Sequence, residues 1–181
     1  MTKTDNIIFR ILDKKEYHQY RQPLIKLYRK AFAQGEYPQY ISEADATQTW
    51  DNYLLNGNIL IAEIDKNLVG TLVYFPLKSD KYFPHKDGKN INESIYIAEV
   101  AIDLKHRGKG IGTRLIQTFF TSINNKIYSQ VVIRVWEKNT PALSLYKAFG
   151  FEETGYSITQ TKWKSEKETF RMKKKYLKKL I

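Results

Sequence analysis

Residues 99–116, EVAIDLKHRGKGIGTRLI, decide the fold of this chain because one short basic turn joins two different hydrophobic patterns. The run 94–102 leading into the turn has few polar positions, which is typical of a strand in the middle of a sheet. After the turn, apolar side chains from Ile111 to Ile123 recur at the spacing of one helix face. Glycines in such a turn let the backbone approach a ligand closely, and the free N–H groups of the new helix attract anions. The stretch therefore predicts a strand, an anion-binding turn that suits a diphosphate, and a helix.

The glycine-rich turn is open to other interpretations on its residues alone. A Walker-type loop needs G-x-x-x-x-G-K-[ST], which this sequence does not supply. A dinucleotide fingerprint needs G-x-G-x-x-G, but here Gly112 comes one residue too early. A plain strand-to-helix turn with solvated charges is the remaining alternative. Arg107 and Lys109 add positive charge, yet the turn by itself barely favours a phosphate site over that plain connection.

A second motif lies about thirty residues further on, at 139–151, with the sequence NTPALSLYKAFGF. The first stretch resembles the coenzyme-binding segment of the GNAT superfamily of N-acetyltransferases, an apolar strand followed by [RQ]-x-x-G-x-[GA], from Arg107 through Gly110 and Gly112. Leu104 stands where the family usually has a proline. The second stretch resembles that superfamily's other signature, N-x-x-A-x-x-x-Y-x-x-x-G-F. The clear matches cover about 94–151, and two signatures in the right order and spacing make coincidence improbable.

The rest of the chain predicts elements in the order β-α-α-β-β-β-α-β-α-β-β, which favours a mixed α/β domain. The resemblance implies a single GNAT-like acetyltransferase domain over 1–181, with a coenzyme-binding core at about 94–151. It further implies a GNAT-like fold of mixed α+β type, in which about four helices flank a central, mostly antiparallel twisted sheet of six or seven strands. The parallel strands at the centre of that sheet are expected to splay apart and admit the coenzyme arm.

The resemblance also implies roles for individual residues. Tyr146 matches the family tyrosine that faces the sulfur and can give it a proton; the alternative is a core tyrosine packed on the sheet. Glu99 is the candidate general base, since burial in an apolar strand would raise its pKa, but an exposed or ion-paired side chain is equally expected. Some relatives carry a base on the neighbouring strand, where this chain has Arg134, which cannot accept a proton. Asn139 would hydrogen-bond the coenzyme arm, cap the helix that starts at Thr140, or do both.

By position, the strand end and the turn would bind the coenzyme together with Asn139 and Tyr146, and a strand N–H near Val100 could polarise the thioester carbonyl. The coenzyme-binding residues implied by the resemblance are Val100, Ala101, Ile102, Arg107, Gly108, Lys109, Gly110, Ile111, Gly112, Thr113, Asn139 and Tyr146. In the family the first helices and the loop before the central strand wall the acceptor site, so the resemblance implies that role for Tyr37, Tyr40, Trp50, Tyr82, Phe83 and His85. For any one of them, packing in the core or on the surface is the alternative.

The predicted activity is transfer of an acetyl group from acetyl-CoA, as co-substrate, to a primary amine. The acceptor is unidentified: a small metabolite, an antibiotic amine or a protein or peptide amine. Direct sequential transfer is expected because the chain has no cysteine to carry an acyl group. The alternative is a non-catalytic acyl-CoA-sensing or nucleic-acid-binding protein of the same fold.

Composition limits the other partners. The absence of cysteine excludes disulfides, thiolate zinc sites and cysteine nucleophiles, and the three histidines show no metal-ligand spacing, so no metal is expected. No apolar run approaches the roughly 20 residues of a membrane span, and the N-terminus has no secretory pattern. A cytoplasmic protein without a membrane partner is predicted, and a homodimer is left open.

The positive charge is concentrated at one end of the chain. The formal net charge is +11, and residues 162–181 alone carry nine basic side chains against Glu166 and Glu168. Residues 167–175 predict a last strand whose lysines guard a sheet edge against pairing with another chain. Aromatic residues that could stack on bases are few there, so we expect nucleic acid to bind only weakly and in a strongly salt-dependent way.

Overall fold

The computed structural model describes residues 6–34, 38–83 and 91–181. Its seven strands are β1 Ile7–Ile11, β2 Asn58–Ile64, β3 Asn67–Pro76, β4 Ser94–Ile102, β5 Gln130–Trp136, β6 Glu152–Trp163 and β7 Thr169–Leu180. The described part of the chain also contains four α-helices, α1 Tyr17–Ala33, α2 Glu43–Asn56, α3 Ile111–Ser122 and α4 Thr140–Ala148. The strands form one sheet in the order β1-β2-β3-β4-β5-β7-β6.

The sheet is mixed, as the sequence predicts. β4 and β5 run parallel, with Ser94 opposite Gln130 and Ile97 opposite Ile133, while β1 pairs antiparallel with β2 and β7 antiparallel with both β5 and β6. Seven strands, four helices and a parallel pair at the centre confirm the predicted mixed α/β class.

The chain divides into two compact units. Unit 1 comprises Met1–Val73 and Glu99–Ser122, and unit 2 comprises Tyr74–Ala98 and Ile123–Ile181. In unit 1, α3 packs closely because Gly70 on β3 has no side chain: a Cβ there would lie 3.0 Å from Ile111 Cγ2. The fully buried side chains of unit 1 include Leu24, Trp50, Leu60, Ile61, Leu72, Leu115 and Phe119.

Unit 2 has its core around the C-terminal strands, with buried side chains on both faces of β5. Met172 and Tyr176 on β7 are buried together with Val131, Val132 and Ile133 on β5. Burial of these apolar side chains supplies the main stabilisation of the unit.

The last strand differs from its sequence-based prediction in length and place. β7 runs from Thr169 to Leu180, beyond the predicted 167–175, and lies between β5 and β6. The prediction that its lysines guard an open edge is therefore wrong, because hydrogen-bonded neighbours cover both sides of β7 and β6 forms the edge. The predicted alternation holds: Arg171 and Lys173 are exposed, whereas Met172 is buried.

Candidate functional site

The glycine-rich turn connects β4 to α3 in unit 1. Gly108 and Gly110 have φ angles of +74° and +77°, and a Cβ at either position would find nothing within 4 Å. Glycine adopts a left-handed backbone conformation at little cost, so both positions require glycine. The space beside the backbone is also open at both positions. The turn is therefore shaped for close approach of a ligand.

The start of α3 supplies hydrogen-bond donors at the same place. The helical ladder begins with the N–H of Arg114, which donates to the carbonyl of Gly110 at 3.0 Å. The preceding N–H groups, at Ile111, Gly112 and Thr113, have no helical carbonyl to reach, and the helix dipole places partial positive charge there. Together with the exposed Lys109, this geometry suits the negative charges of a diphosphate.

A half-buried carboxylate fixes the start of the turn. Asp103 follows β4 and accepts hydrogen bonds from the N–H of Lys105 at 2.9 Å and from Nζ of Lys30 on α1 at 2.7 Å. The Lys30 hydrogen bond is the largest cause that lowers the pKa of Asp103, against the opposing effect of burial. Asp103 is thus ionised at neutral pH and anchors the turn to the C-terminal end of α1.

Arg107 makes a second tie to the same helix. Its Nη2 donates to the carbonyl of Ala31 at 2.7 Å, and its Nε donates to the carbonyl of Ile102 at 3.2 Å. Two donors of the guanidinium therefore fix the turn against α1 and the end of β4. Sequence reasoning assigned Arg107 to phosphate alone and missed Lys30 and Asp103, because Lys30 lies 73 residues from its partner and carries no local signal.

Glu99 lies on β4 in unit 1, half-buried beside tyrosines. The Tyr53 hydroxyl donates to its Oε2 at 3.4 Å. Burial is the largest cause that raises the pKa of Tyr28 above its ordinary value, and the negative charge of the nearby Glu99 carboxylate is the second. The structure thus places the candidate base beside the Tyr53 hydroxyl, which donates to it, and near Tyr28, on which its charge acts.

The tyrosines beside Glu99 belong to an aromatic cluster. Trp50 is fully buried, and its ring lies edge-on to Tyr28 at 6.1 Å and to Tyr53 at 5.4 Å between centroids. Phe32 extends the cluster at 5.0 Å from Tyr28. Aromatic faces next to a carboxylate attract an ammonium group, so this part of unit 1 can bind a protonated amine and accept its proton.

The other two candidate residues lie in unit 2. Asn139 Oδ1 accepts from the N–H of Ala142 at 3.3 Å, which confirms that Asn139 caps α4. Tyr146 is 5% exposed, and its ring lies edge-on to Phe151 at 5.8 Å. The helix ends at Ala148, and Gly150 follows with a φ angle of +80°.

The remaining predicted positions follow along unit 1. Ala101 is buried, Val100, Ile102 and Thr113 are half-buried, and β4 carries the first three of these directly into the turn. Of the residues predicted to wall the acceptor site, Tyr37 and His85 lie outside the described residues.

Among residues 6–34, 38–83 and 91–181 there is no group of three or more histidine or acidic side chains that could hold a metal ion. None of the helices in these ranges is long and apolar enough to cross a membrane.

Comparison with known proteins identifies the family. The family model described as "Acetyltransferase (GNAT) family" matches residues 21–151. Probable N-acetyltransferase family 8 member 5 from Mus musculus is 31% identical over 122 residues, which are 66% of this chain and 49% of that protein. The chain spans about half the length of the curated relatives it matches first.

Solved structures share the fold. An N-acetyltransferase from Staphylococcus aureus Mu50 superposes with a TM-score of 0.70 at 16% identity, covering 97% of this chain and 98% of that one. A Salmonella typhimurium structure determined with its cofactor acetyl-CoA gives a TM-score of 0.67 at 14% identity, covering 96% and 93% of the two chains. Because the family model spans most of the chain, this protein belongs to the GNAT family of acetyltransferases.

Proposed function

We propose that this chain is an acetyl-CoA-dependent N-acetyltransferase that transfers the acetyl group directly to an amine, and that 1–181 forms a single catalytic domain with its coenzyme-binding core at about 94–151. The observation that carries the proposal is the turn between β4 and α3. Its two left-handed glycines, the open space above them and the N–H groups of the new helix match the needs of a diphosphate.

The residues of the turn fit the coenzyme chemically. The first-turn N–H groups of α3 bind the pyrophosphate, Lys109 adds charge, and Arg107 keeps the turn in place through Ala31 and Ile102. The backbone of Val100, Ala101 and Ile102 binds the pantetheine arm, and Asn139 contributes its side-chain amide while it caps α4. Acetyl-CoA supplies the acetyl group as a thioester. No acyl-cysteine step is available, because the sequence contains no cysteine.

Glu99 acts as the general base in this proposal. An amine attacks only in its neutral form, so the proton of the incoming ammonium has to be removed. Oε2 of Glu99 accepts that proton, and the Tyr53 hydroxyl, which donates to the same oxygen at 3.4 Å, orients the carboxylate beforehand. The rings of Tyr28 and Tyr53 hold the cation near the carboxylate until the proton is transferred.

Tyr146 acts as the acid. Its hydroxyl proton goes to the sulfur as the C–S bond breaks, so that coenzyme A leaves as the thiol. The second proton that the amine nitrogen loses on forming the amide passes through solvent to the tyrosinate that remains. The side chain is 5% exposed, and packing against Phe151 fixes the ring.

The test is an assay of CoA release from acetyl-CoA across a panel of small amines, antibiotic amines and peptides. We expect amine-dependent CoA release and a monoacetylated product by mass spectrometry. Acetyl-CoA binding without turnover on any amine would support the non-catalytic coenzyme-sensing alternative. No binding of acetyl-CoA would refute the proposal.

A further inference from the structure

The outer edge of the sheet in unit 2 is a long strand without charged residues along most of its length. β6 has 12 residues and stands last in the strand order, so it pairs with β7 on one side, and no described strand lies on its other side. Residues 154–161 are all uncharged, whereas β7, which has a neighbour on each side, carries six basic side chains. Proteins usually protect a long open edge with lysines or prolines. Residues 154–161 contain neither, so this edge is able to pair with another strand.

The backbone groups of β6 point alternately toward β7 and away from it. The N–H of Lys164 donates to the carbonyl of Glu168 across the turn at 2.8 Å, and the register continues with Trp163 opposite Thr169. Because the direction alternates along an antiparallel strand, the N–H and C=O groups of the odd-numbered residues from 157 to 163 point away from β7. These four residues, whose side chains are exposed, are Ser157, Thr159, Thr161 and Trp163.

The regularly paired part of this edge comprises residues 157–163. On one side it is limited by a shift in the register with β7 between Glu153 and Ser157, where Gly155 has a φ angle of +83°. On the other side β6 ends at Trp163, and the chain turns back to β7. A partner strand can therefore pair over these seven residues.

A second copy of this segment fits the edge best in one antiparallel register. When two copies are related by a two-fold axis at Gln160, Ser157 of each lies opposite Trp163 of the other, and Thr159 lies opposite Thr161. All outward N–H and C=O groups then meet a partner, in four hydrogen-bonded pairs with two bonds each. Any shift along the strand leaves outward groups unpaired, so the ends of the segment fix the register.

We propose that the outer edge of β6 is a homodimer interface, in which residues 157–163 of two copies of this chain pair antiparallel about Gln160. Each copy thereby supplies the neighbour that β6 of the other copy lacks among the described strands. The inference is independent of the proposed function, because neither the coenzyme nor the acceptor takes part in the pairing.

The charges allow this arrangement. Lys162 is the only charged residue of the segment, and it lies opposite the apolar Ile158 of the other copy rather than opposite itself. The basic side chains of the two β7 strands are kept apart, because both copies of β6 lie between them. At about 4.8 Å per strand this separation is about 14 Å, which exceeds the screening length of about 8 Å at physiological salt. Repulsion between the lysines therefore opposes the pairing only weakly.

The side chains favour a second copy over an unrelated strand. Threonine pairs across neighbouring strands stabilise a sheet, and the two-fold register forms two of them between Thr159 and Thr161. Trp163 is 49% exposed and lies opposite Ser157 of the other copy, whose small side chain leaves room for the ring. With one lysine among seven residues, the segment has no charge pattern that would select a different strand.

Sedimentation velocity tests whether the dimer forms. The interface consists of one pair of short strands, whereas stable dimers bury about 1,200–2,000 Å². We therefore expect an equilibrium between monomer and dimer that depends on protein concentration. Between about 5 and about 500 µM protein, the average mass should rise from 21.3 kDa toward twice that value.

Thr161→Lys tests the surface by adding a charge to the edge, where lysine is one of the residues that prevent strand pairing. The concentration at which half of the protein is dimeric should rise about tenfold or more. Thr121→Lys is the matched control, since it adds the same charge at an exposed threonine on α3, and its association should equal that of the unmodified protein. Unchanged association of Thr161→Lys would place the contact on another surface and overturn the inference.

A single cysteine tests the register, because the chain has none of its own. In the two-fold register the two copies of residue 160 face each other with Cα atoms about 4.5 Å apart, within the range that a disulfide spans. Gln160→Cys should therefore form a disulfide-linked dimer on oxidation with copper phenanthroline, seen on a gel without reductant. Ile158→Cys is the control, since it lies on the same face but its two copies are about 14 Å apart along the strands.

A protein that stays monomeric at all concentrations would overturn the inference and leave the edge to a strand of a different chain. Equal disulfide formation by Gln160→Cys and Ile158→Cys, or none by a folded Gln160→Cys, would refute the two-fold register. If Gln160→Cys fails to fold, sedimentation of the unmodified protein and of Thr161→Lys decides. Failure of the proposed function is recognised separately, as absence of acetyl-CoA binding or of CoA release with every amine.

Discussion

The turn at 103–113 and the C-terminal ribbon of β6 and β7 share two features that suggest anion binding. Both are rich in lysine and arginine, and both contain an exposed left-handed glycine: Gly110 with φ +77° and Gly155 with φ +83°. A Cβ at either glycine would find nothing within 4 Å. They differ in the backbone that follows, because Gly110 precedes the first turn of α3 whereas Gly155 sits at a register shift between β6 and β7.

The difference shows that neither charge nor an open glycine defines a site. In the turn, the N–H groups at the start of α3 converge. Asp103 and Arg107 keep the turn in place through their hydrogen bonds to Lys30 and Ala31 of α1. In the ribbon, the N–H groups that lie between the strands are committed to the β6–β7 ladder, and Lys173 and Lys175 approach Glu137 and Glu153 at 3.7 and 2.9 Å. We therefore expect the coenzyme to bind at the turn, where the N–H donors converge.

The largest effect is expected from Gly110→Val. A β-branched residue at positive φ costs about 1–2 kcal/mol in backbone strain and places methyl groups where the pyrophosphate would lie. Acetyl-CoA binding should be abolished while the circular dichroism spectrum stays that of a folded protein. Gly155→Val introduces the same backbone strain outside the proposed coenzyme site, so this variant should keep its affinity for acetyl-CoA. An equal loss of affinity in both variants would contradict the distinction between the turn and the ribbon.

Tyr146→Phe should lower kcat by roughly ten- to a thousandfold with little change in acetyl-CoA affinity, because it removes the acid and keeps the ring. The matched control is Tyr17→Phe. The Tyr17 hydroxyl is buried, has no hydrogen-bond partner in the described part of the chain, and has a pKa raised to about 12 mainly by burial. A similar kcat for both variants would make Tyr146 a packing residue only.

Glu99→Gln should lower kcat/KM by about a hundredfold at neutral pH and remove the acidic limb of its pH profile, since no carboxylate remains to deprotonate. Glu63→Gln is the control, because Glu63 is also a strand carboxylate that accepts from a tyrosine, Tyr20, at 2.7 Å. Its variant should be less stable but keep the acidic limb. An unchanged limb in Glu99→Gln would assign the base to another group.

Lys30→Met should weaken acetyl-CoA binding a few-fold and reduce the free energy of unfolding at pH 7 by at most about 1 kcal/mol. The pKa of Asp103 is lower in the folded state, so this contribution exists above the ordinary aspartate pKa and is lost as the pH falls through the folded value. The free energies of unfolding in urea should therefore differ between the two proteins at pH 7 and converge once the pH falls below the folded-state pKa of Asp103. Lys26→Met, one turn earlier on α1, is the control; a difference that persists at low pH would contradict the Asp103 linkage.

The smallest effect is expected in the ribbon. Replacing Lys173, Lys174, Lys178 and Lys179 with Gln should change acetyl transfer to a small amine by less than about twofold. Gel-shift and salt titrations should show only weak, non-specific nucleic-acid binding in either protein. Tight binding at physiological salt that disappears in the variant would make the ribbon a nucleic-acid interface.

The features that the sequence predicts correctly are encoded by residues that lie close together along the chain. The apolar run of β4, the glycines of the turn and the face of α3 are adjacent in the chain, so their periodicities indicate both the elements and the anion site. The contacts around the turn and Glu99 are not local: Tyr53 lies 46 residues from Glu99 along the chain, and Lys30 lies 73 residues from Asp103. The place of β7 between β5 and β6 depends on long-range strand pairing in the same way, which is why the predicted edge was wrong.

The most direct measurement is an NMR titration of the ¹⁵N-labelled protein with acetyl-CoA. The largest amide shifts should fall on Gly110, Ile111, Gly112 and Thr113, with Gly155 and Lys173 unaffected. Largest shifts on the β6 and β7 amides, or unmoved amides at 110–113, would contradict the assignment of the coenzyme to the turn.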